Sequence, residues 1–176
     1  MKCTAFAAST SSTSINKQLV NAAASLLRGQ RPEASVDVLD LRDYPMPMFS
    51  EDQQREHGIP DAAVRFLGGV SACDALIISF AEHNGGYTAA YKNAFDWMSR
   101  ISQRVFEGKR VVALSTSPGK RGGASVLESF IRSAPHFGAE VVASLPVPVF
   151  HEAYDRAAGA LAPEWEAKLA EAVRAL

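Results

Sequence analysis

The feature of this sequence that most constrains its fold is a regular alternation of short apolar runs with longer segments of helical periodicity. In most of the short runs apolar side chains follow one another directly, which is typical of strands covered on both faces. Five runs predict strands: Lys2–Ala7, Val36–Leu41, Ala75–Phe80, Arg110–Ser115 and Glu140–Ser144. Five segments predict helices: Asn16–Arg28, Pro60–Ala72, Thr88–Arg104, Gly123–Phe137 and Pro163–Leu176.

Strands that alternate with helices are joined by right-handed crossovers, so the sheet is expected to be parallel with helices on both faces. Five strands within 176 residues predict a flavodoxin-like α/β fold, a three-layer sandwich whose five-stranded parallel sheet has the order 2-1-3-4-5. A single domain over residues 1–176 is expected. The apolar segment Arg42–Ile59 is predicted to be irregular and to cover a partner subunit or the mouth of a site.

Composition narrows the choice of partner to a small molecule. With 18 basic and 19 acidic residues, no bulk charge favours nucleic acid or an anionic membrane. Cys3 and Cys73 each begin an apolar run without zinc-binding spacing, so we expect buried, reduced thiols and no metal site. Because no stretch is long enough to span a membrane, we expect a cytoplasmic protein.

The first strand-to-helix loop, Ala8–Asn16, holds six consecutive hydroxyl residues. Unpaired amides at a helix N-terminus carry partial positive charge, and the hydroxyls of Ser9, Ser11 and Ser14 are suited to donate to phosphate oxygens. The glycines of a dinucleotide-binding loop or a P-loop are missing, which disfavours NAD bound in Rossmann fashion and ATP. A helix cap at Ser14 or Thr13 within a solvated turn explains the same residues.

The second loop, Glu82–Thr88, contains adjacent glycines that allow close approach to a flat ligand. Turn amides and the Asn84 carboxamide would suit a flavin ring, which needs hydrogen-bond donors where charge accumulates on reduction. A simple turn capped by Asn84 or Thr88 remains the alternative. His83 is open to three interpretations: contact with the ring, a general acid, or a surface residue.

The third loop, Ser115–Gly123, repeats the hydroxyl chemistry around a Pro-Gly turn and adds two cations. Lys120 and Arg121 are candidates for binding a phosphate or the pyrophosphate of a nicotinamide cofactor. A solvated basic turn is the equally open alternative.

Together the loops resemble the NADPH-dependent FMN reductase family, which includes quinone, azo-dye and chromate reductases. Glu82–Gly86 and Lys92–Trp97 (Lys-Asn-Ala-Phe-Asp-Trp) are similar to its Pro-Glu-Tyr-Asn segment and Lys-Asn-Ala-x-Asp-Trp helix. The third loop resembles its third flavin loop, and Ser9, Ser14 and Asn16 match its Gly-Ser-x-Arg-x-x-Ser-x-Asn phosphate loop. The sequence departs from the family at Ala8, Ser11, Ala81, His83 and Thr88, where the family has glycine, arginine, proline, tyrosine and often proline.

The resemblance implies that the FMN phosphate lies in the first loop and the flavin ring beside the second. The implied FMN-binding residues are Ser9, Ser11, Ser14, Ile15, Asn16, Glu82, His83, Asn84, Gly85, Ser115, Ser117, Pro118, Gly119 and Gly122. It further implies NAD(P)H as hydride donor and a small acceptor, such as a flavin, quinone, azo compound or metal oxyanion, with no catalytic side chain. Ser11 in place of arginine removes one charge-assisted bond to phosphate.

Family members are commonly dimers, so a homodimer or a dimer of dimers is expected. Phe95, Trp97 and Met98 beside Arg42–Ile59 are the candidate contact surface, with an intradomain core position as the alternative for Trp97. Two other functions stay open. A flavodoxin-like electron carrier would bind FMN without a nicotinamide site, and a binding module would have lost the cofactor.

Overall fold

The computed structural model describes residues 1–155 and 157–176. Its strands are β1 (Lys2–Ala8), β2 (Ser35–Leu39), β3 (Ala75–Phe80), β4 (Glu82–His83), β5 (Gly86–Tyr87), β6 (Lys109–Thr116), β7 (Ala139–Val147), β8 (Tyr154–Asp155) and β9 (Ala160–Leu161). Its α-helices are α1 (Ile15–Gln30), α2 (Glu51–His57), α3 (Asp61–Ser71), α4 (Ala89–Ile101), α5 (Ala124–Ser133), α6 (Phe150–Ala153) and α7 (Pro163–Arg174). Short 3-10 turns cover Leu41–Asp43 and Ala134–Phe137.

Five strands form one sheet in the order β2-β1-β3-β6-β7, and every neighbouring pair is parallel. This is the order predicted from the sequence once the two-residue hairpin strands are set aside, so the predicted flavodoxin-like fold is confirmed. Residues 3–8 of β1 and all of β3 are buried, as expected of strands covered on both faces.

The apolar side chains divide into two clusters, one on each face of the sheet. One cluster packs Phe6, Ile78 and Phe80 against α3, α4 and α5. The other packs Ala5 and Ile77 against α1 and α7. The helix after β1 and the helix after β3 therefore lie on opposite faces, and the carboxyl ends of these adjacent strands form the switch point where ligands bind in open α/β sheets.

The segment Arg42–Ile59 is more ordered than predicted. It contains the end of a 3-10 turn and α2, which Ser50 caps by accepting a hydrogen bond from the Gln53 amide at 3.0 Å. The segment packs on α4 of its own chain. There the Trp97 indole N–H donates to the Pro47 carbonyl oxygen at 2.8 Å, and the rings of Phe49 and Trp97 lie 5.0 Å apart.

Two of the three α4 side chains predicted to contact a partner subunit are therefore not accessible to one. Trp97 and Met98 are fully buried within the chain, as the intradomain alternative required, and Phe95 is half-buried. The apolar residues of Arg42–Ile59 pack on α4 of the same chain, about 50 residues away, and no short-range pattern in the sequence predicts this contact.

Both cysteines are buried and free, as predicted. Burial raises the pKa of the Cys3 thiol to about 12, so this thiol is un-ionised at neutral pH. Across residues 1–155 and 157–176, no group of three or more His, Cys, Asp or Glu side chains is placed to hold a metal ion. In the same ranges no helix is long and apolar enough to cross a membrane.

Candidate functional site

Three loops meet at the carboxyl ends of β1, β3 and β6 and surround a cavity of about 220 Å³. Because these strands are neighbours in the sheet, the loops that follow them emerge side by side. The lining residues are Ser9, Ser11, Thr13, Ser14, Ile15, Asn16, Ala81, Glu82, His83, Thr116, Ser117 and Pro118. Nine of these are predicted site residues, so the structure brings most of the candidates together.

The first loop presents an N-terminal helix end to the cavity. Ser14 caps α1, and its hydroxyl accepts a hydrogen bond from the Lys17 amide at 3.3 Å. The amides of Ile15 and Asn16 begin the helix and have no partner within it, so they remain available to an anion. The same loop therefore caps α1 and leaves two amides at the start of the helix without an intrahelical partner.

The hydroxyls of this loop are partly tied to each other. The Ser9 hydroxyl accepts from the Ser11 amide at 3.2 Å, and the Ser11 and Thr13 hydroxyl oxygens lie 3.3 Å apart. Ser11 and Thr13 remain exposed. These bonds hold the loop in a fixed curve while leaving hydroxyl groups free to rotate toward a ligand.

Asn16 lines the cavity, but its side chain is committed to the scaffold. Its Oδ1 accepts from the Ser79 hydroxyl at 2.8 Å and from the Thr116 amide at 3.0 Å, and its Nδ2 donates to the Thr116 carbonyl oxygen at 3.0 Å. These buried bonds join α1 to β3 and β6. What Asn16 retains for a ligand is its backbone amide.

The second loop is a β-hairpin formed by β4 and β5. Asn84 and Gly85 both have positive φ, 53° and 78°, as a two-residue turn with the twist of the flanking strands requires. They lie exposed at the hairpin tip, outside the cavity lining, so the structure does not place them with the other predicted FMN-binding residues. Glu82 and His83, on the first strand of the hairpin, do line the cavity.

Two polar contacts fix the hairpin in place. The Glu82 carboxylate accepts from the Val126 amide in the first turn of α5 at 2.9 Å, which joins the second loop to the helix after the third. The Thr88 hydroxyl donates to the Ala8 carbonyl oxygen at 2.9 Å and accepts from the Tyr91 amide at 3.2 Å. Thr88 is therefore the cap of α4, the alternative that the sequence left open.

In the third loop, Ser117 and Pro118 face the cavity, while Ser115, Gly119 and Gly122 lie outside its lining. Ser115 is buried, and its hydroxyl donates to the Gly122 carbonyl oxygen at 2.8 Å. Gly122 packs against the backbone at Val147, and the Gly119 carbonyl oxygen accepts from the Val149 amide at 3.1 Å. The contacts of these three residues fix the conformation of the loop on the side away from the cavity.

Charge is scarce at the site. Among its twelve lining residues there is no lysine or arginine, and Glu82 is the one carboxylate. Lys120 and Arg121 are exposed beyond the lining. A phosphate in this cavity would therefore be held by helix amides and hydroxyl groups. The donor set of the first loop fits such a group.

Thr13, Ala81 and Thr116 line the cavity although they were not among the predicted FMN-binding residues. Each is next to a predicted residue in the chain. The contacts of Thr116 are all to distant parts of the chain: its hydroxyl donates to the Val147 carbonyl oxygen at 2.7 Å, and its amide donates to the Asn16 side chain at 3.0 Å. Proximity to the predicted residues was the signal that could have found all three.

A second cavity, of about 330 Å³, lies between Thr10 of the first loop, the segment that begins at Leu41, and α4. On its border Asp40 pairs with Arg42, whose Nη2 lies 2.6 Å from the Asp40 Oδ2, and with Lys17 in the first turn of α1. The Arg42 guanidinium and, to a smaller extent, the Lys17 ammonium hold the pKa of the Asp40 carboxyl well below its usual range.

We expect Asp40→Asn to lower the free energy of unfolding by about 1 kcal/mol at pH 7. A carboxyl whose native pKa is depressed stabilises the fold above its unfolded pKa, near 3.9, and this contribution is lost as pH falls further. Urea denaturation of both proteins at pH 7 and pH 3 measures the difference, which should shrink at pH 3. Glu171→Gln, at an exposed position of α7, is the control; an Asp40→Asn deficit that is equal at both pH values would contradict the prediction.

Comparison with known proteins shows the family to which the chain belongs. The profile of the family described as NADPH-dependent FMN reductase matches residues 1–171. A NAD(P)H-dependent FMN reductase of Pseudomonas aeruginosa is 34% identical over 93 residues, which cover 53% of this chain and 49% of that protein. A quinone reductase of Escherichia coli K12 is 26% identical over 121 residues, 63% of this chain and 64% of that protein.

The matched regions thus span about half and somewhat under two thirds of these two relatives. Among solved structures, a flavoenzyme NAD(P)H:(acceptor) oxidoreductase of Paracoccus denitrificans superposes with a TM-score of 0.78. It is 24% identical, and the superposition covers 99% of this chain and 93% of that chain. This likeness shows that the two proteins share a fold.

Proposed function

Because the chain belongs to the NADPH-dependent FMN reductase family, we propose that it binds FMN in the three-loop cavity and catalyses NAD(P)H-dependent reduction of a small electron acceptor. The observation that carries the proposal is the convergence of the hydroxyl-rich N-terminus of α1 with His83 and Ser117 at the switch point of the sheet. The acceptor class proposed is a flavin, quinone, azo compound or metal oxyanion. FMN, when bound, supplies the site with a group that takes hydride from nicotinamide and passes electrons on.

In this proposal the protein's own residues bind FMN and orient it in the cavity. The amides of Ile15 and Asn16, with the hydroxyls of Ser9 and Ser11, would hold the phosphate, since they are the anion-binding groups of the cavity. Glu82 fixes the hairpin to α5 and so keeps the wall of the cavity in place. No side chain is assigned acid or base chemistry.

FMN should raise the melting temperature of the cofactor-free protein and quench its intrinsic fluorescence. A ligand that binds only the folded state at a hundredfold excess over its Kd stabilises by about 2.7 kcal/mol. Riboflavin should have a markedly smaller effect, because it lacks the phosphate that the N-terminus of α1 would bind. Calorimetric and fluorescence titrations measure both ligands, and the absence of any shift with FMN would rule out the flavin assignment.

Steady-state oxidation of NADPH, measured with and without FMN and with benzoquinone as acceptor, tests the activity itself. The proposed reductase oxidises NADPH only when FMN is present. Binding of FMN without NADPH oxidation would instead indicate the electron carrier. Failure to bind FMN would indicate the binding module.

Lys120 and Arg121 are proposed to receive the phosphates of the nicotinamide donor. Both are exposed on the third loop, two and three residues after Pro118, which borders the cavity. Replacing both with alanine should raise the NADPH KM about tenfold, equivalent to ~1.4 kcal/mol, and leave hydride transfer at saturation nearly unchanged. Single-turnover kinetics measured over a range of salt concentrations separate the two effects, because charge-mediated binding weakens with ionic strength.

The control for this pair is the double substitution Lys168→Ala and Arg174→Ala on α7. It removes the same charge from a helix that lies on the other face of the sheet from α5, the helix that follows the third loop. An unchanged NADPH KM in the Lys120 and Arg121 variant would indicate that the two residues belong to a solvated basic turn and do not bind the nicotinamide donor. Loss of FMN would assign the pair to the flavin phosphate.

We also propose a cytoplasmic homodimer, with a dimer of dimers as the larger assembly. Support for the dimer comes from Met48, which is 70% exposed on the segment that covers α4. The free, buried thiols of Cys3 and Cys73 suit a reducing compartment. Sedimentation velocity measures the assembly directly. The assignment of residues 1–176 to one domain stays a prediction.

A further inference from the structure

A third cavity lies on the far side of the hairpin from the proposed flavin site. Its volume is about 200 Å³, and α4, α5 and the 3-10 turn at Ala134–Phe137 enclose it. Six aromatic side chains line it: Tyr87, Tyr91, Phe95, Phe106, Phe130 and Phe137. None of its lining residues is shared with the proposed flavin cavity.

The aromatic rings support one another and give the cavity fixed walls. Phe95 stacks on Phe106 with ring centroids 5.8 Å apart and meets Phe137 edge-on at 4.7 Å. Tyr87 and Tyr91 lie 5.2 Å apart. Phe106 and Tyr91 are at most 1% exposed, so the walls are part of the hydrophobic core.

Size and apolarity together define what fits. An apolar cavity of about 150 Å³ in another protein stays dry and binds benzene, so a space of this size with aromatic walls has room for one or two fused aromatic rings. Ring stacking favours flat aromatic molecules over aliphatic ones.

Polar groups on the lining add a requirement for an oxygen atom. The Tyr91 hydroxyl has no hydrogen-bond partner among the described residues, and burial raises its pKa, which keeps it protonated and able to donate. The Ser133 hydroxyl shares its one proton between the Ser129 and Phe130 carbonyl oxygens, at 3.0 and 3.2 Å, and the Tyr87 hydroxyl lies close to it. Each of these two hydroxyl oxygens has lone pairs that can accept from a ligand.

Charge indicates that the occupant is neutral. Lys92 is the one ionisable lysine, arginine or acid on the lining, and its ammonium lies 2.6 and 2.8 Å from the two carboxylate oxygens of Asp96. A cation already paired in this way has little to offer a carboxylate ligand. Neutral phenols meet the requirements for shape, hydrogen bonding and charge.

We propose that this cavity is a second ligand site, which binds a neutral phenolic molecule of one or two fused rings through ring stacking and the Tyr91 hydroxyl. The site is separate from the proposed FMN site and does not depend on it. The hairpin forms a wall of both cavities, with Glu82 and His83 on one and Tyr87 on the other.

The test uses 2-naphthol and naphthalene as probes, titrated calorimetrically into the protein of residues 1–176 with and without saturating FMN. We expect saturable binding of 2-naphthol in both cases. Tyr91→Phe should weaken 2-naphthol about fivefold, the value of one hydrogen bond, and leave naphthalene unchanged. Ser133→Leu should weaken both probes at least tenfold by filling the cavity, while Glu128→Leu, at an exposed position of the same helix, should affect neither.

Three results would overturn the proposal: no saturable binding of 2-naphthol, displacement of the probe by FMN, or a Ser133→Leu protein that binds as the parent does. An equal loss of both probes in Tyr91→Phe would contradict the role given to the hydroxyl. If Ser133→Leu does not fold, Tyr91→Phe still decides, because it keeps the ring that packs in the core. Failure of FMN itself to bind would bear on the proposed function alone, since the probe titrations are also made without it.

Discussion

Replacing Asn16 with alanine is expected to lower the free energy of unfolding by about 3 kcal/mol, because it leaves three buried polar groups without partners. The groups are the Ser79 hydroxyl and both the amide and the carbonyl oxygen of Thr116. FMN affinity should fall as well, since Asn16 holds the N-terminus of α1 against β6. Urea denaturation and FMN titration measure the two effects.

Two comparisons make the Asn16 result interpretable. Ser79→Ala removes one donor and leaves Thr116 paired, so it should cost about 1 kcal/mol. Asn21→Ala changes an exposed asparagine of the same helix and should be neutral or slightly stabilising, because alanine favours the helix. An Asn16→Ala protein as stable as the Asn21→Ala protein would mean that the side chain does not join α1 to the sheet.

Replacing Gly122 with alanine is expected to destabilise the protein by about 4 kcal/mol, combining left-handed backbone strain with overpacking. Its φ is +60°, and an added Cβ would lie 2.7 Å from the Pro148 nitrogen and 2.7 Å from the Val147 carbonyl carbon. These are backbone atoms that cannot turn away, so the third loop would have to shift and FMN affinity should fall. Thermal unfolding with an FMN titration measures both.

Gly119 provides a matched control in the same loop. A Cβ there would meet nothing nearer than the Ser117 hydroxyl, at 3.8 Å, so Gly119→Ala should change stability by less than about 0.5 kcal/mol. Equal losses at the two glycines would show that the loop is sensitive to any side chain and that the close approach to Val147 is not the cause.

The sheet was predictable from the sequence because its signals are local. The mostly apolar runs at Lys2–Ala7 and Ala75–Phe80 became β1 and β3 with at most one residue of difference at an end. The handedness of crossovers then left few orders for five parallel strands. The sequence did not predict that β7 extends to Val147, because the strand passes through Pro146. Proline has no amide hydrogen to donate, and an edge strand such as β7 tolerates this because one of its sides has no neighbouring strand.

The convergence of the three loops was also predictable, because loops after neighbouring parallel strands must emerge at one edge. The membership of the site was less so. Asn84 and Gly85 carry the turn signal that places them at a hairpin tip, outside the lining of the cavity, and their role toward FMN stays a prediction. Ser115 and Gly122 shape the loop from behind because one donates to the other.

What the sequence by itself determined is thus the five strands of the sheet, their order and the three loops that converge at one edge, since periodicity and chain connectivity act over short distances. The tertiary structure alone decided that the Asn16 side chain joins α1 to the sheet, that Arg42–Ile59 covers α4, and that six aromatic rings enclose the third cavity. These features depend on contacts between residues far apart in the chain, 100 positions for Asn16 and Thr116. A polar or aromatic side chain has the same local signature whether it meets a ligand, solvent or a distant part of its own backbone.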